Sequence, residues 1–202
     1  NVVPQFRGVK ATGISAVYTP RPLTPKQIVL IKDLAGEAID LGMPVSLLEN
    51  ISAAGTTRMN STAAIVASRG WLILGKDWSA SSRAEKLQAI IHELGHSVDN
   101  AKARVSEGNV WQKAYDELKA WHDSGDPTKD HPLTYPFGTE FKGKVKLKPE
   151  SFAQAFAFYF INPVELQTNA PEAYSQIQSL VEGIQNESQR ASATSATKTG
   201  TA

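Results

Sequence analysis

Ile90-Ile91-His92-Glu93-Leu94-Gly95-His96-Ser97-Val98-Asp99 is the stretch on which the reading of this chain turns. Apolar residues recur around it at Ala84, Leu87, Ile91, Leu94 and Val98, in steps of three and four, which is the pattern of a helix with one buried face. His92, His96 and Asp99 form a second stripe beside the first. Two histidines four residues apart lie one turn above each other, so both imidazoles can reach one metal ion, with Glu93 one step round the helix. Zinc held this way makes water more acidic, and an adjacent carboxylate can accept the proton. The short pattern also arises by chance on solvated helices. Here the core stripe sets two imidazoles at the edge of a buried face, and Gly95 removes a side chain where another segment can pass close. Both features favour the metal reading.

The rest of the chain bounds the answer. With 202 residues, 41% hydrophobic and 20% charged, it is long enough for one domain with a sizeable core or two small lobes round a cleft. A formal net charge of +1 gives no case for nucleic acid or for a generally acidic partner. No stretch is long enough to span a membrane. Cysteine is absent, so disulfides contribute nothing. The chain opens on Asn1 with no signal peptide, which reads as a processed or excised piece of a longer precursor.

Upstream of the motif, residues 1 to 23 carry prolines and no helical period, with a strand candidate at Gly13 to Tyr18. Thr24, Pro25 and Gln27 predict a capped helix start, Ile28, Ile31, Leu34, Ala38 and Leu41 its buried face, and Gly42 its end. Val45 to Leu48 is a short strand candidate. Ala63 to Val66 and Trp71 to Leu74, separated by Ser68-Arg69-Gly70, suggest a hairpin. Ser82 with Glu85 is a second capping box, so the motif helix is expected over about 82 to 101.

Downstream, Ser106 is a candidate cap for a helix with an aromatic stripe at Trp111, Tyr115, Leu118 and Trp121. Residues 123 to 149 break the pattern. Within them Lys142, Lys144, Lys146 and Lys148 alternate with smaller residues as a strand with one charged face, an edge protected against aggregation or a basic wall beside a cleft. A helix resumes at Glu150 with Phe152, Phe156 and Phe160 on one side. Asn162 and Pro163 restart it, and Pro171 opens a last helix with Tyr174, Ile177, Val181 and Ile184 inward. Beyond Asn186 the Ser, Thr, Ala and Gly content reads as a disordered tail.

A catalytic zinc wants three protein ligands and an open position. Four candidates for the third ligand are visible: Asp99, His122, His131 and Glu150. Asp99 is short and fits better as a group that accepts a hydrogen bond from a ligand histidine or anchors the following turn. His122 and His131 read as surface histidines. Glu150 begins a helix whose Glu150, Ala153, Gln154 and Ala157 share a face kept low by the two alanines, so that this face could approach the motif helix closely. On the residues alone, Glu150 stands level with the other acids.

Three blocks carry a resemblance: His92-Glu-Leu-Gly-His-Ser-Val-Asp99, Glu150-Ser-Phe-Ala-Gln-Ala-Phe156 and Asn169-Ala-Pro-Glu-Ala-Tyr174. Over roughly residues 85 to 186 the chain resembles the zinc metallopeptidase family of the anthrax lethal factor catalytic domain and the secreted Pro-Pro endopeptidases of clostridia. The resemblance implies that His92, His96 and Glu150 are the zinc ligands, that Glu93 is the general base and that a tyrosine steadies the oxyanion. The tyrosine available is Tyr135, farther upstream than in the family, with the lysine-rich segment in between. Gln154 stands where lethal factor has Glu, beside the ligands. Residues 1 to 80 show no such similarity.

Together these readings predict an α+β, zincin-like domain over 1 to 188, with an N-terminal lobe (about 1 to 101) holding a small mixed sheet, a helical C-terminal lobe (about 102 to 188) and a tail over 189 to 202. The expected activity is zinc-dependent endopeptidase hydrolysis of peptide bonds, in a secreted bacterial protease or a toxin or effector domain delivered into a target cell. In such enzymes the strand before the motif helix commonly forms a sheet edge that binds substrate, which here would be Trp71, Leu72, Ile73 and Leu74; an ordinary core strand is the other reading. The expected partner is a protein or peptide substrate. The alternative is a non-catalytic binding module that contains zinc.

Overall fold

The computed structural model describes residues 7–8, 23–48, 52–55, 63–66, 71–125, 135–137 and 147–199. Six helices carry most of this: α1 (Pro25–Asp40), α2 (Arg83–Ala101), α3 (Asn109–Ser124), α4 (Leu147–Ile161), α5 (Pro163–Asn169) and α6 (Pro171–Thr199). Four short strands complete it: β1 (Arg7–Gly8), β2 (Ser52–Gly55), β3 (Ala63–Val66) and β4 (Trp71–Leu74).

The expected α+β class is corrected to a mostly helical fold. Of the residues whose side chains are described, 84% are helical and a single short strand remains. The strands are two to four residues long and pair through their backbones in the order β1-β2-β4-β3, so they cannot balance six helices. The apolar residues that make the core lie mainly on α1, α2, α4 and α6.

Helix starts follow local chemistry. Gln27 N–H donates to Thr24 Oγ1 (3.3 Å) and Thr24 N–H to Gln27 Oε1 (2.9 Å). Glu85 N–H donates to Ser82 Oγ (3.2 Å) and Ser82 N–H to Glu85 Oε2 (2.6 Å). Each box satisfies two backbone donors that a helix start leaves unpaired. The second one sets where α2 begins, and therefore which face carries the motif histidines. Gly42, at φ +97°, closes the end of α1, a conformation that disfavours any side chain.

α4 is the central helix. Phe152, Ala153, Ala155, Phe156 and Ala157 are all at most 1% exposed, because α4 is enclosed by neighbouring helices. Trp111 of α3 meets Phe152 edge-on at 4.9 Å, and its indole N–H donates to Ser151 Oγ (3.2 Å).

Several local expectations change. Val45–Leu47 is a 3-10 turn rather than a strand, because Pro44 and the short run cannot extend a ladder. α4 starts at Leu147, so Lys148 belongs to a helix, not a charged strand. Ala84 is exposed in the first turn of α2. α3 is capped by Gly108 without a side-chain cap, and Ser106 serves elsewhere. The expected tail continues α6 to Thr199: Ala, Gln and Arg are good helix formers, and propagation costs little once the helix is nucleated by buried Ile177, Val181 and Ile184. The strand candidate at Gly13 to Tyr18, His131, and Lys142, Lys144 and Lys146 lie outside the described residues. No helix among the described residues is long and apolar enough to cross a membrane.

Candidate metal centre

α2 and α4 cross in close contact. An ideal Cβ built on Gly95 would lie 2.8 Å from Ala153 Cα and 3.1 Å from Phe156 Cβ. Any side chain at residue 95 would force the helices apart. Glycine on one side and alanine on the other let the backbones touch, and this brings the first turn of α4 over the histidine face of α2.

The result is a cluster of three donors. Glu150 Oε2 lies 3.3 Å from His92 Nε2, and Glu150 Oε1 lies 3.5 Å from His96 Nε2. One donor atom from each of the three residues fits within 4.8 Å of the others. The two imidazoles stand nearly perpendicular, at 85°, with centroids 4.8 Å apart, so their ring nitrogens converge without stacking. His92 is buried, and His96 and Glu150 are half-buried. The arrangement suits a tetrahedral ion: bonds of about 2.0–2.1 Å place neighbouring ligand atoms about 3.3 Å apart, close to the two separations observed. Of the other third-ligand candidates, Asp99 and His122 are not part of the cluster, and His131 lies outside the described residues.

The electrostatics favour positive charge here. Burial alone would lower the pKa of His96, but Glu150, by hydrogen bond and by charge, with the Glu93 and Asp99 carboxylates, outweighs it and raises the pKa. Burial likewise favours the neutral form of Glu150, yet its contacts with both histidines hold the carboxyl well below the usual range. A pocket that stabilises an imidazolium beside three carboxylates is suited to a cation. Glu93 sits on the same helix, half-buried, and acts on His96 through its charge.

Two buried polar groups support the cluster. Gln154 Oε1 lies 2.9 Å from His92 Nδ1, with Gln154 only 1% exposed. Asp99 anchors the following turn: Oδ1 accepts from Ser106 N–H (2.8 Å) and Oδ2 from Ser106 Oγ–H (2.6 Å). That turn carries Ala103 and Arg104 at φ +61° and +59°, a conformation non-glycine residues rarely take. Ser106 was missed as Asp99's partner, since the spacing of the two across a turn carries no periodic signal.

Two expectations fare differently. Tyr135 lies in a 3-10 turn, Tyr135–Phe137, and its side chain falls outside the described residues. Phe137 of that turn packs against Tyr115 at 5.3 Å and His122 at 5.8 Å. The substrate-edge role of Trp71, Leu72, Ile73 and Leu74 is corrected. β4 pairs in parallel with β2 and antiparallel with β3, so both its backbone edges are used. Leu72, Ile73 and Leu74 are each 1% exposed and belong to the core.

No family model matches the chain, and no curated protein matches it significantly. The resemblance noted above therefore rests on its three sequence blocks.

Proposed function

We propose that this chain is a zinc-dependent endopeptidase whose metal is held by His92, His96 and Glu150. The observation that carries the reading is the convergence of two imidazole Nε2 atoms and one carboxylate at 3.3 and 3.5 Å, with Glu93 one residue along the same helix. Two neutral imidazoles and one carboxylate are a donor set used by catalytic zinc in peptidases, with a position left for water. A bound zinc ion supplies Lewis acidity there, making water more acidic and a peptide carbonyl more electrophilic. Glu93 accepts the proton of the attacking water as the oxygen bonds to the carbonyl carbon. It then delivers that proton to the amide nitrogen as the C–N bond breaks, so that an acid and an amine leave. The buried Phe152 and Phe156 of α4 and the Gly95–Ala153 contact keep the donors in register while this happens.

The substrate reading shifts from β4 to β3. β3 is the outermost strand on its side of the described pairing and lies against α2. An extended peptide could add to its outer edge by backbone hydrogen bonds. The secreted or delivered setting, and an oxyanion role for Tyr135, rest on the resemblance.

The test is cleavage of a peptide library by the full chain, with and without a chelator, beside Glu93→Gln. Chelator-sensitive cleavage absent from Glu93→Gln is expected. Equal cleavage by that variant contradicts the base role. A second reading has one observation in its favour: His92 is only 7% exposed, as in a structural site. Tight zinc binding with no cleavage of any peptide would select that binding module.

A further inference from the structure

We infer that Trp111 is a positioning residue for the metal centre: its indole N–H, bonded to Ser151, sets the rotation of α4 about its own axis and so aims the Glu150 carboxylate at the two histidines. The inference rests on the metal reading above and adds to it a residue from a helix that supplies no ligand.

The hydrogen bonds carry it. Trp111 Nε1–H donates to Ser151 Oγ at 3.2 Å, and Ser151 Oγ–H donates to Lys148 O at 2.8 Å. An indole nitrogen can only donate and a hydroxyl has one hydrogen, so both directions are forced. Trp111 and Ser151 are each 0% exposed, so solvent cannot replace the bond between them. The same indole meets the Phe152 ring edge-on at 4.9 Å. Trp111 therefore holds the two residues that directly follow Glu150.

The helix needs this second hold. The Gly95–Ala153 contact sets how near α4 comes to α2. A glycine against an alanine offers little resistance to rotation. Turning α4 by about 20° moves a carboxylate about 5–6 Å from its axis by about 2 Å. Zinc sites hold their ligand distances to within about 0.2 Å, so the rotation must be fixed elsewhere. Ser151 and Phe152 lie round the helix from the face that meets α2, which is where a hold on the rotation acts.

α3 is itself tied to the helix that carries the histidines. Asp99, three residues after His96, accepts from Ser106 N–H and Ser106 Oγ–H at 2.8 and 2.6 Å. This bond pair closes the turn through Ala103 and Arg104 and directs the chain into α3, whose first turn carries Trp111. The path from His96 to Glu150 thus runs through Asp99, Ser106, Trp111 and Ser151, each at most 3% exposed.

The experiment uses the full chain, as wild type, Trp111→Phe, Ser151→Ala, the double variant and Leu118→Ala. Leu118 lies on α3 and is 0% exposed, so it serves as a control for general loss of packing. Hydrogen exchange of the Trp111 indole N–H is followed by NMR in the metal-free protein, the signal being the one missing from Trp111→Phe. Competition with a zinc-chelating dye reads the affinity of the folded protein. The indole N–H should exchange slowly in wild type and faster in Ser151→Ala. Each single variant should weaken zinc binding by about tenfold, the low end for a group that orients a ligand. The double variant should fall within about twofold of either single, because both remove the same bond. Leu118→Ala should lower stability and still bind zinc within about twofold of wild type. Zinc binding by both single variants within about twofold of wild type overturns the inference. So does an indole N–H that exchanges freely in wild type, a double variant with fully additive losses, or a Leu118→Ala chain that loses as much affinity as Trp111→Phe. Should Trp111→Phe not fold, Ser151→Ala set against Leu118→Ala decides by the same criteria. A wild type that binds no zinc removes the metal reading, and the inference with it, whereas zinc binding untouched by the substitutions removes only the role of Trp111.

Discussion

In the α2–α4 pair, two helices touch backbone to backbone at Gly95 and Ala153, and every group that converges is placed by spacing within one helix or the other. In the strand layer, β4 gains its place from β2 on one side and β3 on the other, and neither neighbour is set by a spacing within β4. The first region is assembled from periodic, local signals joined by one long-range contact. The second joins an antiparallel pair of strands adjacent in sequence, β3 and β4, to a parallel partner farther away in the chain, β2. A helical site can therefore be built on few residues, while β4 beside it, with Leu72, Ile73 and Leu74 buried, acts as core.

The comparison can be broken most severely at the chemistry. Glu93→Gln should lower peptide cleavage by at least about 10²- to 10⁴-fold, the usual share of a general base, with zinc content unchanged. Steady-state rates together with metal analysis check this, and a variant that loses its zinc would shift Glu93 from proton transfer to holding the site.

The strand layer is sharpened by Ile73→Ala. As a 1% exposed residue on an interior strand, Ile73 should cost about 2–5 kcal/mol of unfolding free energy in denaturant titrations. A cost below about 1 kcal/mol would fit an exposed edge instead. Zinc affinity of the folded fraction should not change, since β4 contributes nothing to the cluster.

Glycines give a contrast of sign. Gly95→Ala pushes a Cβ into Ala153 and should destabilise the chain by about 1–3 kcal/mol, while weakening zinc binding through the displaced α4. Gly36→Ala and Gly183→Ala, where a Cβ meets nothing within 4 Å, should stabilise by about 0.5–1 kcal/mol. Equal behaviour of the three would mean that α2 and α4 do not touch as described.

The caps give an effect of similar size. Ser82→Ala should cost about 1 kcal/mol in thermal or chemical unfolding. No change would mean that the Ser82–Glu85 box does not set the start of α2.

Much of the site was legible in residue order, and the reason is periodicity. The stripe through Leu87, Ile91, Leu94 and Val98 and the box at Ser82 give α2 and its register before any tertiary contact is considered. The low face of Ala153 and Ala157 signals a close approach, and Gly95 shows where it occurs. What periodicity cannot carry is strand order. Trp71 to Leu74 is an apolar run that would look the same at an edge or in the middle, and only β2 and β3 decide between them. The same limit explains Val45 to Leu47, where three residues are too few to distinguish a strand from a turn, and Ser106, whose partner Asp99 lies across a turn. The fold class failed for a related reason: four short strands were given the weight of a sheet, while α4 and α6 hold more of the core.

The most direct test is the zinc content of the full chain after equilibration with buffered zinc, measured for wild type and Glu150→Ala. The account predicts about one zinc per wild-type chain and a large loss in the variant. Wild type without zinc, or Glu150→Ala holding as much as wild type, would contradict it.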